Sequence, residues 1–250
     1  MRVVVLTGAG VSAESGLGTF RDLSGVWTRV NLEEVATPEG YAADPAKVHG
    51  FYDARRRQLR VAEPNDAHRA LAELERGLAE RGGSLTLVTQ NVDDLHERAG
   101  SRRVVHMHGE LRRARCTGCG WVHDWTGDLA GHAGGAGRGA PCSECGAPLR
   151  PHVVWFGEVP FALESIAASI ARADLFAAIG TSGAVYPAAG YVDLARSLGV
   201  RTVELNLDPS DNAAAFDERR YGPAGSIVPD WVRSLLGTPS PSSRASEAAR

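Results

Sequence analysis

The chain has 250 residues, of which 43% are hydrophobic, 23% charged and 6% aromatic, so it can bury a sizeable core and is not disordered throughout. With 27 basic and 30 acidic residues its net charge is −3, which argues against a nucleic-acid-binding surface over the whole molecule. No apolar run reaches the roughly 18 residues of a membrane-spanning helix, and the run in MRVVVLTGAG is too short for a signal peptide. We therefore expect a cytoplasmic protein with no membrane partner and no stable nucleic-acid partner.

Buried strands and amphipathic helices alternate along the chain. Apolar runs that end in glycine or polar residues predict strands at residues 2–7, 84–89, 103–107, 151–158, 174–182 and 201–210. Apolar residues at helical spacing predict helices at residues 44–62, 66–81, 161–173, 188–198 and 226–236. Residues 12–27 have no sustained period and are expected to form a long loop. This alternation indicates an α/β fold with a parallel sheet, into which the cysteine-rich segment 113–150 is inserted.

A glycine-rich loop follows the first strand. Gly8, Gly10 and Ala13 fit the relaxed dinucleotide fingerprint G-x-G-x-x-G/A, although the same residues also suit a plain tight turn. A dehydrogenase would continue through a helix into a second strand that ends in an acidic residue about 20 positions on. Here a polar loop through Thr19-Phe20-Arg21 follows instead. The loop is therefore predicted to hold a dinucleotide in a site that does not transfer hydride, which favours chemistry on the ribose of NAD.

The four cysteines form two C-x-x-C pairs, Cys116 with Cys119 and Cys142 with Cys145. This pattern is typical of a zinc ribbon, and four thiolates leave the ion no open position for water. We therefore expect one structural zinc ion. Free thiols or disulfides are the alternative, which a cytoplasmic setting disfavours. A zinc ribbon can also be an interaction module, and three nearby arginines fit either that role or a solvated face.

Polar loops follow three more strands, where open α/β sheets bind their ligands. In the first of them, Gln90, Asn91 and Asp93 offer donors and acceptors for ribose hydroxyls and a carboxamide. His108 stands at a strand end, as a general base or as a structural histidine. The third loop is Gly180-Thr181-Ser182. Toward the end of the last predicted strand segment, Asn206 and Asp208 suit an adenosine ribose.

Six motifs in chain order resemble the sirtuins, which are NAD-dependent protein-lysine deacylases. They are GAGVSAESG at 8–16 with the following Thr-Phe-Arg, TQNVD at 89–93, His108-Gly109, the paired C-x-x-C, VWFGE at 154–158 and GTS at 180–182. The resemblance extends from about residue 3 to residue 236. It implies that the acyl oxygen attacks C1′ of the nicotinamide ribose, which releases nicotinamide and finally yields free lysine and 2′-O-acyl-ADP-ribose.

The resemblance also implies roles for individual residues. His108 would be the general base, assisted by Asn91 and Asp93. NAD would be bound by Gly8, Ala9, Gly10, Glu14, Thr19, Phe20, Arg21, Trp27, Gln90, Asn91, Asp93, Gly180, Thr181, Ser182, Asn206, Leu207, Asp208 and Ala224. The acyl-lysine protein substrate would be bound by Tyr52, Arg55, Val154, Trp155, Phe156, Gly157 and Tyr186, the loop residues clamping its backbone as an added strand. The zinc ion stays out of the reaction.

Two domains are implied. A Rossmann-like NAD-binding domain would comprise residues 1–35, 80–112 and 151–236. A smaller domain would combine a helical module at residues 36–79 with the zinc module at 113–150. The Pro/Ser-rich tail, residues 237–250, is expected to be disordered. The oligomeric state is left open.

The acyl group is indicated by Tyr52 and Arg55, which are three residues apart and share a helix face. The pair resembles the Tyr-x-x-Arg of sirtuins that remove succinyl and malonyl groups, because an arginine can pair bidentately with a distal carboxylate. The alternative is that Arg55 begins a solvated basic run. The expected activity is therefore desuccinylation and demalonylation, with weaker deacetylation. A plain deacetylase, ADP-ribosyl transfer and a zinc-ribbon interaction protein with an idle NAD site are the competing interpretations.

Overall fold

The computed structural model describes residues 1–18, 31–130 and 139–237. The strands are β1 (Arg2–Thr7), β2 (Ser84–Thr89), β3 (Val104–His106), β4 (Gly109–Cys116), β5 (Val122–Asp124), β6 (Leu149–Val153), β7 (Leu175–Ile179), β8 (Arg201–Asn206) and β9 (Glu218–Tyr221). The α-helices are α1 (Leu32–Val35), α2 (Pro38–Ala43), α3 (Pro45–Val61), α4 (Asp66–Glu80), α5 (Leu95–Arg98), α6 (Leu163–Ile170), α7 (Tyr191–Ser197) and α8 (Ala224–Leu236). Short 3₁₀ helices lie at Ala9–Ser15, Ala188–Gly190 and Ala213–Ala215.

Six parallel strands form the large sheet, in the order β3-β2-β1-β7-β8-β9. The chain begins in the middle, adds strands to one side, and returns to add the rest to the other side. This is the doubly wound Rossmann order, with its switch point between β1 and β7. The predicted parallel α/β fold is therefore confirmed.

Apolar layers cover both faces of this sheet. Alternate residues of β1 point to opposite sides, so Val3 and Val5 pack in one core and Val4 and Leu6 in the other. The first core is closed by α4 and α8, whose Trp231 is fully buried. A strand with both faces covered has to be apolar throughout, which explains the uninterrupted run in β1.

A second layer stands beside the large sheet. Strands β5, β4 and β6 form an antiparallel sheet that carries the four cysteines at one end. Helix α3 packs on this layer and on the loop after β6, through Val48, Tyr52 and Leu59. Asp44 caps its first turn by accepting a hydrogen bond from the backbone N–H of Lys47.

The predicted domain boundaries stay a prediction, and the packing of two segments bears on them. Helix α4 was expected in the smaller domain, but its apolar face packs on the large sheet and α8. Strands β4 and β6 both pair in the small sheet, although residues 109–112 and 151–153 were expected in the large domain. The strands β4, β5 and β9 were not predicted, since none of them carries an uninterrupted apolar run.

Several predictions concern residues outside the described ranges. These are Thr19, Phe20, Arg21 and Trp27 in the first loop and residues 238–250 of the tail. Among the described residues, no helix combines the length and apolar character that crossing a bilayer requires.

Candidate functional site

The predicted polar loops meet at the carboxyl edge of the large sheet. Gly8 follows β1 and Gly180 follows β7, so both lie at the switch point of the sheet. The backbone N–H of Gly10 donates to the carbonyl oxygen of Gly180 at 2.9 Å. A Cβ atom on Gly8 would lie 2.7 Å from that oxygen, and one on Gly10 would lie 2.8 Å from Cα of Gly180. Glycine is required here because two backbones touch, and the crevice that results is where such sheets hold nucleotides.

Asn91 and Asp93 are buried beside this turn. Nδ2 of Asn91 donates to the carbonyl oxygen of Gly8 and to Oγ of Ser12, both at 3.1 Å. The Ser12 hydroxyl in turn donates to Oδ2 of Asp93 at 3.0 Å, and Oδ1 of Asp93 accepts from the backbone N–H of Leu95. Burial raises the pKa of Asp93. Asp93 therefore anchors the loop, while Oδ1 of Asn91, which accepts no hydrogen bond from the described residues, is left to accept one from a ligand.

Two buried histidines lie beneath these residues. Nε2 of His68 lies 3.4 Å from the Ser12 hydroxyl, and Nε2 of His96 lies 3.0 Å from that of Thr7. The two rings are 4.8 Å apart. Burial lowers the pKa of His68 to about 4 and holds that of His96 well below its usual value, so both imidazoles are neutral. His68 of α4 and His96 of α5 thus form a polar layer that supports the glycine turn after β1.

His108 is half-buried just after β3. Its Nδ1 lies 3.2 Å from the carbonyl oxygen of Gln90, which places the proton of the neutral ring on Nδ1 and leaves Nε2 as the basic nitrogen. Burial lowers the pKa of His108, and the Gln90 carbonyl opposes part of that effect. The neighbouring Gly109 has a φ of +83°, and a Cβ there would lie 2.2 Å from the carbonyl oxygen of His152. Glycine is thus required at position 109 by the sharp turn into β4.

His106 differs from His108 in its environment. Burial alone would lower the pKa of His106, but Glu97 outweighs it through a 2.6 Å hydrogen bond and its charge, so the pKa is raised. The Glu97 carboxylate stabilises the protonated form of His106, so the unprotonated imidazole that a general base requires is less available there than at His108. Of the two histidines, His108 is the one suited to proton abstraction.

The residues predicted to bind the adenosine half of NAD lie near the carboxyl ends of β7 and β8. Nδ2 of Asn206 donates to the carbonyl oxygen of Thr181 at 2.7 Å, which ties the two loops together. Leu207 and Asp208 are exposed, while Ser182 and Ala224 are half-buried. Glu14 accepts a hydrogen bond from the backbone N–H of Gly225 at 2.9 Å, so it stabilises the first turn of α8. That contact fixes α8 beside the glycine turn.

The candidate substrate loop runs next to His108. The backbone N–H of Val154 donates to the carbonyl oxygen of His108 at 2.8 Å, and that of Phe156 donates to Ala36 at 2.9 Å. The side chain of Phe156 is 48% exposed and that of Tyr186 74% exposed. Both aromatic rings are therefore open to a partner chain.

Tyr52 lies on the side of α3 that faces this loop, and Arg55 follows it three residues later on the same helix. Tyr52 is 4% exposed, and its hydroxyl accepts a hydrogen bond from Nε1 of Trp155 at 3.0 Å. Burial lowers the pKa of Arg55 to about 10, and Asp93 is close enough to oppose that shift. Arg55 is therefore partly desolvated and lies near the loop that carries Asp93. Its neighbour Arg56 points elsewhere, to the buried carboxylate of Asp53.

The sequence did not predict which residues support the candidate substrate loop after β6. Arg150 donates to both carboxylate oxygens of Glu158, at 2.7 and 2.9 Å, and lies 3.3 Å from the ring centroid of Trp155. Ser12 and His68 were also missed as supporting residues. Ser12 and Glu158 belong to quoted motifs, but Arg150 and His68 had no local signal because their partners become neighbours only through the fold.

The four cysteines converge as predicted. Their sulfur atoms all lie within 4.8 Å of one another, with Cys116 and Cys145 separated by 3.4 Å and Cys119 and Cys142 by 3.8 Å. A tetrahedral zinc ion with bonds of about 2.3 Å places its thiolates about 3.8 Å apart. The backbone N–H groups of Gly118 and Cys119 donate to Sγ of Cys116, as expected for a metal-bound thiolate. The cluster fits one zinc ion, and four sulfur ligands make its role structural.

A doubly wound sheet with polar loops at its switch point and an inserted four-cysteine module defines a Rossmann-like nucleotide-binding protein with a zinc ribbon. The chain belongs to the Sir2 family, whose model matches residues 8–187. An NAD-dependent protein deacylase of Caulobacter vibrioides is 59% identical over 238 residues, which cover 94% of this chain and 97% of the relative. One of Escherichia coli strain K12 is 54% identical over 237 residues, which cover 94% and 82%.

Solved structures agree with this assignment. A histidine mutant of a Sir2 homologue in complex with ADP-ribose has a TM-score of 0.85 at 40% identity, and the match covers 94% of this chain and 92% of that one. A Sir2 homologue in complex with NAD has a TM-score of 0.82 at 41% identity, with coverage of 94% and 90%. The fold is therefore that of proteins solved with NAD and ADP-ribose.

Proposed function

We propose that this protein is an NAD-dependent protein-lysine deacylase that prefers succinyl- and malonyl-lysine to acetyl-lysine. Its substrates are proteins that present an acylated lysine on an extended segment of backbone. Membership of the Sir2 family and relatives named NAD-dependent protein deacylase support the reaction class. The observation that carries the proposal is the 2.8 Å hydrogen bond between Val154 and His108, because it joins the candidate substrate loop to the candidate base.

NAD would supply a nicotinamide as leaving group and the ribose hydroxyls that receive the acyl group. The glycine turn at Gly8 and Gly180 would hold its phosphates, and Asn206 and Ser182 its adenosine ribose. Oδ1 of Asn91 would accept a hydrogen bond from the nicotinamide ribose, held in place by the anchor of Ser12 and Asp93. Nε2 of His108 would take a proton from a ribose hydroxyl, as its tautomer allows.

The substrate backbone would lie between Val154–Gly157 and Tyr186. Exposed backbone beside the 48%-exposed Phe156 and the 74%-exposed Tyr186 suits an added strand, which binds through main-chain hydrogen bonds and so reads little sequence. The lysine side chain would enter toward His108.

The acyl preference depends on Tyr52 and Arg55. A succinyl carboxylate would pair with the Arg55 guanidinium and accept a hydrogen bond from Tyr52, whereas an acetyl group would leave the partly desolvated guanidinium without this anionic ligand. The low exposure of Tyr52 and the burial that lowers the pKa of Arg55 both support a built pocket.

Mass spectrometry tests the proposal. The protein is incubated with NAD and a succinyl-lysine peptide, and the products are analysed for free lysine and 2′-O-succinyl-ADP-ribose. Both products should appear together, and both should form far more slowly with the His108→Ala variant. Binding of NAD without either product would contradict the proposed reaction and favour an interaction module.

A further inference from the structure

Tyr52 and Trp155 make a hydrogen bond whose direction is fixed by chemistry. The indole Nε1–H can only donate, so the Tyr52 hydroxyl oxygen is the acceptor at 3.0 Å. The hydroxyl proton of Tyr52 has no acceptor among the residues that the structure describes. Burial raises the pKa of Tyr52 to about 12, so the phenol keeps this proton at neutral pH.

The indole of Trp155 is itself held on several sides. The guanidinium of Arg150 lies 3.3 Å from its ring centroid, and the ring of Tyr41 packs at 5.2 Å. The backbone N–H of Trp155 donates to Glu158 at 2.9 Å, on the carboxylate that Arg150 also binds. Trp155 is 2% exposed, so its Nε1–H direction is set by packing before any ligand arrives.

We infer that Trp155 is a specificity-determining positioning residue, which occupies the acceptor side of the Tyr52 hydroxyl and so commits that hydroxyl to donate a hydrogen bond to the acyl group. This inference rests on the proposed function and deepens it. Beside the cation of Arg55, a committed donor favours an acyl group that ends in an anionic acceptor. Without Trp155 the hydroxyl could turn and both donate and accept, so its contribution to selecting a carboxylate would fall.

Trp155→Phe removes the Nε1–H but keeps a ring beneath Arg150. We would measure kcat/KM for NAD-dependent turnover of peptides that carry succinyl-, butyryl- and acetyl-lysine. Succinyl and butyryl chains are equal in length and differ in the distal carboxylate. The succinyl-to-butyryl ratio should fall about tenfold in the variant, which corresponds to the loss of roughly one well-aligned hydrogen bond to a charged group. Trp121→Phe is the matched control, because Trp121 is 58% exposed in the zinc module, and its ratio should equal that of the wild type.

A double-mutant cycle separates positioning from general damage. In a Tyr52→Phe background, Trp155→Phe should change the ratio no further, because Trp155 acts through the hydroxyl that is already gone. An unchanged ratio in the single variant, or an equal fall with and without the Tyr52 hydroxyl, would overturn the inference while leaving the deacylase intact. A wild-type protein that does not prefer succinyl over butyryl would overturn the inference together with the proposed acyl preference.

Discussion

Nδ1 of His108 lies 3.2 Å from the carbonyl oxygen of Gln90. Gln90 is the first residue after β2, and His108 is the second after β3, so two adjacent parallel strands fix the tautomer of the imidazole. The backbone carbonyl can only accept, which assigns the proton to Nδ1 and the lone pair to Nε2. The backbone carbonyl of His108 accepts the hydrogen bond from Val154, so the candidate base and the candidate substrate loop are joined directly.

Replacing His108 with alanine should separate binding from turnover. We expect deacylation to fall by about 10²–10⁴-fold because proton abstraction is lost. NAD binding should remain measurable by calorimetry, since the glycine turn and the Asn91 anchor are untouched. Full retained activity would remove His108 from the mechanism.

The pH profile should report the environment of the base. Burial lowers the pKa of His108, and a general base works only when it is unprotonated. The activity should therefore be lost on acidification with a midpoint below about 6.5, the ordinary histidine value. The measurement is kcat/KM between pH 5 and pH 8 for the wild type. A midpoint above pH 7 would show that a different group, such as the raised-pKa His106, controls the rate.

Stability should also fall on acidification, because of His68. Its pKa is about 4 in the folded protein against about 6.5 unfolded, so the unfolded state binds more protons between these values. The contribution is present above pH 6.5 and is lost as the pH falls toward 4. For this group alone, the free energy of unfolding should drop by about 2 kcal/mol between pH 7 and pH 4.5.

Urea unfolding at both pH values measures that drop. His68→Gln should make it smaller. His106→Gln is the control of opposite sign, because Glu97 raises the pKa of His106 in the folded protein. Protonated His106 therefore stabilises the folded state at acidic pH, and its removal should make the drop in the free energy of unfolding larger. If the pH dependence of His68→Gln equalled that of the wild type, the assignment of a neutral, buried His68 would be contradicted.

The acyl pocket predicts an unequal effect of Arg55→Met. Desuccinylation should fall by about 10- to 100-fold, as expected for a lost charge-assisted hydrogen bond, and deacetylation much less. The two rates are compared on otherwise identical peptides. Arg57→Met is the matched control on the same helix, since Arg57 is 52% exposed and pairs with Asp128. An equal loss on both peptides would remove Arg55 from acyl recognition.

The zinc module should hold one zinc ion per chain, measured by metal analysis. Cys142→Ala should release it and lower the melting temperature, because metal binding to such a site is coupled to folding. The metal contributes stability and no chemistry, so restoring zinc to the wild type after chelation should restore activity. Activity that persists fully without metal, at unchanged stability, would contradict a structural zinc site.

Local patterns account for the strand ends that form the site. Gln90, Asn91, His108 and Gly180 could be placed together because the carboxyl ends of parallel strands meet at one edge. To predict the position of each of these residues, it was enough to recognise the strand that precedes it. The zinc cluster was equally accessible, since its spacing carries the geometry.

The missed features depend on distant partners. The amphipathic pattern of α4 shows which face is buried but not whether it packs on the large sheet or the small layer. His68 and Ser12 are 56 positions apart and meet only after α4 has docked. Arg150 and Glu158 are closer in sequence, but their role requires the indole of Trp155 between α3 and the loop. Such contacts follow from packing, which no local period encodes.

Nicotinamide release, measured with NAD and matched succinyl- and acetyl-lysine peptides, decides both whether the protein is a deacylase and which acyl group it prefers. Release should depend on the acylated peptide and be faster with succinyl-lysine. Faster release with acetyl-lysine would retain the deacylase and contradict the Tyr52/Arg55 pocket. Release with neither peptide, by protein that binds NAD and carries its zinc, would contradict the proposed deacylase reaction.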